Sequence, residues 1–404
     1  MKHITSLILI ILLSSCSTQK KLPILKTSSK AVSIKEGNEF HQNIWTISPE
    51  VELDEFVVQK FTGTKKVSFV SDIDTLTFNV TPNNSYDFVI QFNNEKALTR
   101  INTDTLKEGS LPVKKILEYY VKDQNRKPLA DTIPFTLGSD NGIHLKGRIN
   151  NSNTLDFLFD TGANAIVVVS NLIGNKVNLE LDGNTENVGS DGTQTIATSS
   201  TNKLEIDKLN WENVELLSID YKRPNFDGVL GWIAFENKIV EVDYEKKILI
   251  IHKSFETIPK GYSKIKTKMI RGIPYIYGNI LIGNKSSSGW FEYDSGYNGS
   301  FSLSQKFASE NNLNGVMKKT GTSTSSGSAG VEWKANKYIL PKLQFGEFVL
   351  SNVPLYINEK DPEGIEHNDI LGNNLLKRFN TIIDLQNFEI YLKPNNLLNS
   401  EYKK

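Results

Sequence analysis

Leu158-Phe159-Asp160-Thr161-Gly162-Ala163 puts an aspartate at the end of an apolar run and follows it with a hydroxyl residue and a glycine. Further along, Glu292-Tyr293-Asp294-Ser295-Gly296-Tyr297 repeats the arrangement. Two such loops in one chain can supply two facing carboxylates. Acid/base hydrolysis is therefore the leading functional expectation.

The similarity continues past the two loops, as an internal repeat requires. Asp227-Gly228-Val229-Leu230-Gly231 follows the first loop, and Asn368-Asp369-Ile370-Leu371-Gly372 follows the second. Beyond each glycine, Ile239-Val240-Glu241-Val242-Asp243 matches Asn380-Thr381-Ile382-Ile383-Asp384. Between loop and glycine, Leu204-Glu205-Ile206 with Trp211-Glu212-Asn213-Val214 matches Leu343-Gln344-Phe345 with Leu350-Ser351-Asn352-Val353, each read as a hairpin. The repeat unit runs from Pro134 to Lys253 and again from Tyr262 to Pro394.

These motifs resemble the retropepsin-like aspartic proteases. The family pattern is an apolar strand, Asp-Thr/Ser-Gly-Ala/Ser, and later an apolar-apolar-Gly segment beneath the catalytic loop. Asp160-Thr161-Gly162-Ala163 with Val229-Leu230-Gly231 matches in full. Asp294-Ser295-Gly296 with Ile370-Leu371-Gly372 departs only at Tyr297. The resemblance implies two acid-protease β-barrel lobes related by a pseudo-twofold axis and fused in one chain, so a monomer is expected. It implies Asp160 and Asp294 as a catalytic dyad. Thr161 and Ser295 would cross-link the loops, and Leu230, Gly231, Leu371 and Gly372 would form their floors.

The chemistry needs a base for water and an acid for the scissile carbonyl. Two carboxylates about 3 Å apart cannot both ionise, so one pair supplies both groups, and its titration belongs to the pair. Gly162 and Gly296 let the backbone approach and donate N–H groups to the carboxylates. Flaps are expected at Val188 to Thr193, with Gly189 and Gly192, and at Gly321 to Gly330, with Gly327. Glycine and serine density suits mobile hairpin tips; plain exposed loops are the alternative.

Other chemistries find little support. His41, His144, His252 and His367 are scattered without cysteine, so neither metal nor cofactor is expected. A Gly-x-Ser-x-Gly elbow is missing, and Gly283-Asn284-Lys285 reads as a hairpin turn. Lys+Arg and Asp+Glu are 46 each, which argues against a nucleic-acid partner held by bulk charge.

The strand pattern is strong. Lys66 to Val70, Thr75 to Val80, Tyr86 to Phe92, Ile143 to Ile149, Lys238 to Tyr244, Tyr275 to Ile282 and Thr381 to Tyr391 are Val-, Ile-, Phe- and Tyr-rich and bounded by turn residues. Helices are expected only at Ser302 to Asn311, at Asn373 to Arg378 and, as a connector, at Leu111 to Val121. The fold class is mainly β.

At the N-terminus, Lys2 and the apolar run Leu7 to Leu13 read as a secretory leader too short to span a bilayer. Leu13-Ser14-Ser15-Cys16 resembles the bacterial lipobox, which implies cleavage before Cys16 and lipidation of its thiol. Cys16 is the chain's single cysteine, so no intramolecular disulfide is expected. The expected organisation is a leader at 1–15, a tether at 16–30, a β-rich domain at 31–127, and lobes at 128–256 and 257–396. The expected protein is an exported aspartic endopeptidase of the bacterial envelope, lipid-anchored to a membrane surface, the outer membrane favoured over the inner. Its partner is a peptide or protein substrate. The alternative is a catalytically silent peptide- or glycan-binding lipoprotein on the same scaffold, motivated by Tyr297 and the lack of an obvious flap tyrosine.

Overall fold

The computed structural model describes residues 21–110, 117–122, 128–255, 257–270, 272–361 and 369–403. Cys16 and the leader lie outside the described residues. The fold is mainly β, as the alternating runs require. Among the described residues, no helix is long and apolar enough to cross a membrane.

Two large sheets share one strand order. The first runs Thr136–Leu137, Ile143–Ile149, Leu155–Asp160, Gly228–Gly231, Ile166–Val169, Leu209–Ile219, Gly192–Ile206, Gly183–Gly189. The second runs Thr267–Ile270, Ile273–Ile282, Lys285–Asp294, Ile370–Gly372, Phe301–Leu303, Phe348–Asn358, Glu332–Phe345, Gly321–Ser326. In each, the second strand also pairs with the seventh, curling the sheet toward a barrel. The matched hairpins even share a backbone detail. Asn213 and Asn352, equivalent in the repeat, both adopt positive φ, at 56° and 53°, a conformation asparagine tolerates better than most residues.

A six-stranded sheet joins the two halves, in the order Ala130–Pro134, Ile248–His252, Ile239–Asp243, Phe379–Asp384, Glu389–Pro394, Ser263–Ile265. At its centre the two matched segments pair antiparallel with each other, Val240 opposite Ile383 and Glu241 opposite Ile382. The run from Thr381 to Tyr391 is therefore two strands and a turn rather than one strand. Asp384 Oδ1 accepts the Gln386 and Asn387 N–H groups and fixes that turn. The expected helix at Ser302 to Asn311 is shorter, Gln305–Glu310. Ser304 caps it by accepting the Phe307 N–H at 3.1 Å. The second short helix spans Asn373–Leu376.

The N-terminal region folds as two four-stranded sheets over a separate core of Val32, Ile34, Phe56, Val67, Phe69, Phe88 and Ile90. Two expectations change here. Ile24–Thr27, expected within the tether, is a strand parallel to Ser85–Phe92, with Leu25 fully buried opposite Ile90. Burial of Leu25 supplies the driving force. Tyr119–Val121, expected as the end of a helix, pairs antiparallel with Leu209–Ile219. The Tyr119 ring packs edge-on to Trp211 at 5.6 Å, and its hydroxyl donates to Asp131 at 2.9 Å. These residues thus extend the first large sheet. Residues 111–116 of that expected helix lie outside the described residues.

The N-terminal sheets dock on the six-stranded sheet through Lys35, which donates to the Leu385 carbonyl at 3.1 Å and stands over the Phe388 ring. Burial lowers the Lys35 pKa to about 8. A second contact, Asn164 Nδ2 to Gln42 Oε1 at 3.1 Å, reaches the loop that follows Asp160.

Candidate active site

Strand pairing brings each aspartate to its Leu-Gly partner. Asp160 lies parallel to Gly231 and Asp294 to Gly372, with Leu230 and Leu371 fully buried. The floors bind the loops in the same way. Gly231 and Trp232 donate to the carbonyls of Ala165 and Ala163, and Gly372 and Asn373 to those of Ser300 and Tyr297. A methyl group on Gly231 would overlap the Ala163 and Ala165 carbonyls, and one on Gly372 the Gly299 carbonyl and the Tyr297 ring. These glycines are required by close approach, since neither has positive φ.

The loops lock together through hydroxyls. The Thr161 N–H donates to Ser295 Oγ at 3.0 Å, and the Ser295 N–H donates to Thr161 Oγ1 at 2.9 Å. Each hydroxyl then donates across to the other strand, Thr161 to the Tyr293 carbonyl at 2.6 Å and Ser295 to the Phe159 carbonyl at 2.9 Å. A group that both donates and accepts is needed at these positions, which serine and threonine provide. Thr161 and Ser295 are 1% and 2% exposed, so these bonds form away from competing water.

That lock sets the two carboxyl groups face to face, hydrogen-bonded to each other. Both keep some surface open to the cleft while protein encloses the rest. Asp160 Oδ1 accepts from Gly162 N–H at 2.7 Å. Asp294 Oδ1 accepts from Gly296 at 2.7 Å and Tyr297 at 3.0 Å. Burial, then the charge of Asp294 and the shared hydrogen bond, push Asp160 well above the usual carboxylate range. Burial raises Asp294 too, but hydrogen bonds from Asp160, Tyr297 and Gly296 draw it back. Two backbone donors against one favour the charge on Asp294 and the proton on Asp160.

This arrangement makes stability depend on pH. The raised acids hold more protons folded than unfolded. Their contribution is complete below the unfolded value of 3.8 and is lost as pH rises through the folded values. Asp160→Asn removes part of that loss. Its melting temperature should gain on wild type as pH rises above about 4; a difference constant with pH would contradict the geometry.

Tyr297 packs beneath the second loop, close enough to Asp294 for its charge to act on the ring hydroxyl. Its ring lies against Gly299 and Gly372, and its hydroxyl bonds Ser302. The three expected flap glycines sit at hairpin tips. Gly189 and Gly192 flank the turn at Ser190-Asp191, where Gly192 has φ 148°, and Gly327 opens the turn of the other hairpin, whose strands are Gly321–Ser326 and Glu332–Phe345.

The tips are bonded to each other, a feature with no sequence signal. Asp191, 2% exposed, accepts the N–H groups of Gly327, Ala329 and Val331 at 2.9, 2.9 and 2.8 Å. Asn187 and Gln194 also donate to Ser328. Asp191→Ala should raise amide exchange at 327–331 by at least about tenfold, because bonds to a charged acceptor are the strong kind. Unchanged protection would contradict the latch.

Tyr221 was likewise hidden. Burial and then the charges of Asp160, Asp191 and Asp294 raise its pKa. Its ring packs edge-on against Phe226 at 5.2 Å.

Residues 145–233 match the Aspartyl protease family. This segment is aspartyl-protease-like. Among solved structures, the aspartic proteinase from Irpex lacteus aligns over 68% of this chain and 100% of its own, at 13% identity and a TM-score of 0.48. No curated protein matches the sequence.

Proposed function

We propose that the protein is an aspartic endopeptidase with one carboxyl group from each of two fused lobes. The observation that carries this reading is the reciprocal Thr161–Ser295 lock, which holds Asp160 and Asp294 as one hydrogen-bonded pair. Asp294, as the anion, takes a proton from water bound between the acids. Asp160 gives its proton to the scissile carbonyl oxygen as the water oxygen attacks the carbon. The tetrahedral intermediate then collapses with proton transfer to the leaving nitrogen. The substrate lies extended between the lobes, its backbone pairing with the hairpins bridged by Asp191, which open to admit it.

The N-terminal reading extends the proposal. Lipidation at Cys16 anchors the enzyme to the bacterial envelope, and the chain enters its first sheet soon afterwards, at Ile24. The docked N-terminal sheets hold the lobes at a set distance from that surface. The alternative of a silent binding protein takes its motive from Tyr297 and the lack of an obvious flap tyrosine; the Tyr297 ring packs against Gly299 and Gly372, and its N–H donates to Asp294. Incubation of the purified protein with a peptide mixture between about pH 3 and pH 8 tests the reading across the range where a carboxyl pair titrates. Cleavage supports it; binding without cleavage favours the silent alternative.

A further inference from the structure

The strand that delivers Asp294 carries a third acid into the cleft. Alternation along Phe291-Glu292-Tyr293-Asp294 buries Phe291 and Tyr293 in the core, at 0% and 2% exposure, and turns Glu292 to the side of Asp294. A methyl group on Gly162 would stand 2.9 Å from both Asp294 Oδ1 and Glu292 Oε1. The two oxygens are thus within about 6 Å of each other, the range of strong coupling between acids. Glu292 Oε2 accepts from the Tyr275 hydroxyl at 3.2 Å. Among the described residues, no lysine or arginine forms an ion pair with Glu292. Burial first, and then the charge of Asp294, raise its pKa well above the usual range, against the Tyr275 bond.

The other wall of the cleft is different. Leu158 holds the equivalent place two residues before Asp160. On the side of the first loop, Val167, Ile196, Ile219 and Val229 cluster with Ala163, Tyr221 and Phe226. The first loop is thus backed by apolar side chains, and the second has an acid next to it. An enclosed acid without a cation is costly, and that cost falls when a cation enters beside it.

We propose that Glu292 determines specificity by receiving the ammonium or guanidinium group of a lysine or arginine side chain that flanks the scissile bond on the Asp294 side. The proposal rests on the peptidase reading. When the cation enters, Glu292 releases its proton to solvent and pairs with it, while Tyr275 holds Oε2.

Two peptide series carrying lysine or norleucine on either side of the scissile bond test this with wild type and Glu292→Gln. The lysine-to-norleucine ratio of kcat/KM should fall by at least about tenfold at one of the two positions in the variant, the worth of one bond to a charged group. Both peptides meet the same preparation, so partial misfolding cancels from the ratio. Glu292→Asp, which retracts the charge, serves the same comparison should the amide variant not fold. An unchanged ratio at both positions overturns the proposal. If wild type cuts neither series, the peptidase reading fails by itself, and the same peptides are titrated for binding. A lysine preference that needs Glu292 then sustains the subsite, and equal binding overturns it.

Discussion

Asp160→Asn and Asp294→Asn should each lower kcat/KM for peptide cleavage by at least about 10³-fold, because each removes a proton-transfer partner that positioned acid–base catalysis depends on. The two losses differ in chemistry. In the proposed mechanism asparagine at 294 removes the anion that takes the proton from water, although its amide oxygen can still accept from Gly296 and Tyr297. In the same mechanism asparagine at 160 removes the acid that protonates the substrate carbonyl. Both replacements are nearly isosteric and keep the Thr161–Ser295 lock, which does not use the carboxyl groups. Melting temperatures should therefore hold or rise while activity disappears. Wild-type rates in either variant would refute the assignment.

Gly296→Ala should be nearly as damaging without touching a reacting group. A methyl group at 296 would overlap the Asp160 carboxyl, and all three of its nearest atoms belong to that group. The carboxyl must move, since the backbone at 296 is held by the bond from its N–H to Asp294 and by the lock at Ser295. A displacement of about 1 Å costs on the order of 10²-fold in rate. Overpacking adds about 1–3 kcal/mol of destabilisation. Gly162→Ala should act in the same direction, its methyl group standing 2.7 Å from the Asp294 carboxyl carbon. Steady-state kinetics with thermal melts read both effects, and a Gly296→Ala enzyme as active as wild type would contradict the close approach.

The parts of this molecule legible in the sequence are those written in local pattern. Thr75–Val80 and Ile143–Ile149 are strands over the expected residues, because alternation of apolar and polar side chains is a property of the strand itself. The Asp loops and Leu-Gly segments were legible because they occur twice in register. Contacts between distant, unlike segments left no such trace. Asp191 meets Gly327 across 136 residues, and its ligands are backbone N–H groups that any sequence provides. Tyr221 lies just past the end of the strand Leu209–Ile219, outside any regular element. Leu25 ends a short apolar run, Leu22 to Leu25, with no strand-length alternation, and its burial depends on a parallel partner more than sixty residues away. Glu292 did carry a signal. The alternation Phe-Glu-Tyr-Asp sends both acids to one face, which the apolar Leu-Phe-Asp of the first half does not.

The central claim is that two acids from separate halves of the chain form one catalytic unit. Side-by-side cleavage assays of wild type, Asp160→Asn, Asp294→Asn and the double variant test it most directly. Groups that act as a unit lose their effect together. The account predicts that each single variant falls to the residual rate of the double variant. Substantial cleavage surviving in one single variant, with a further multiplicative drop in the double, would contradict it.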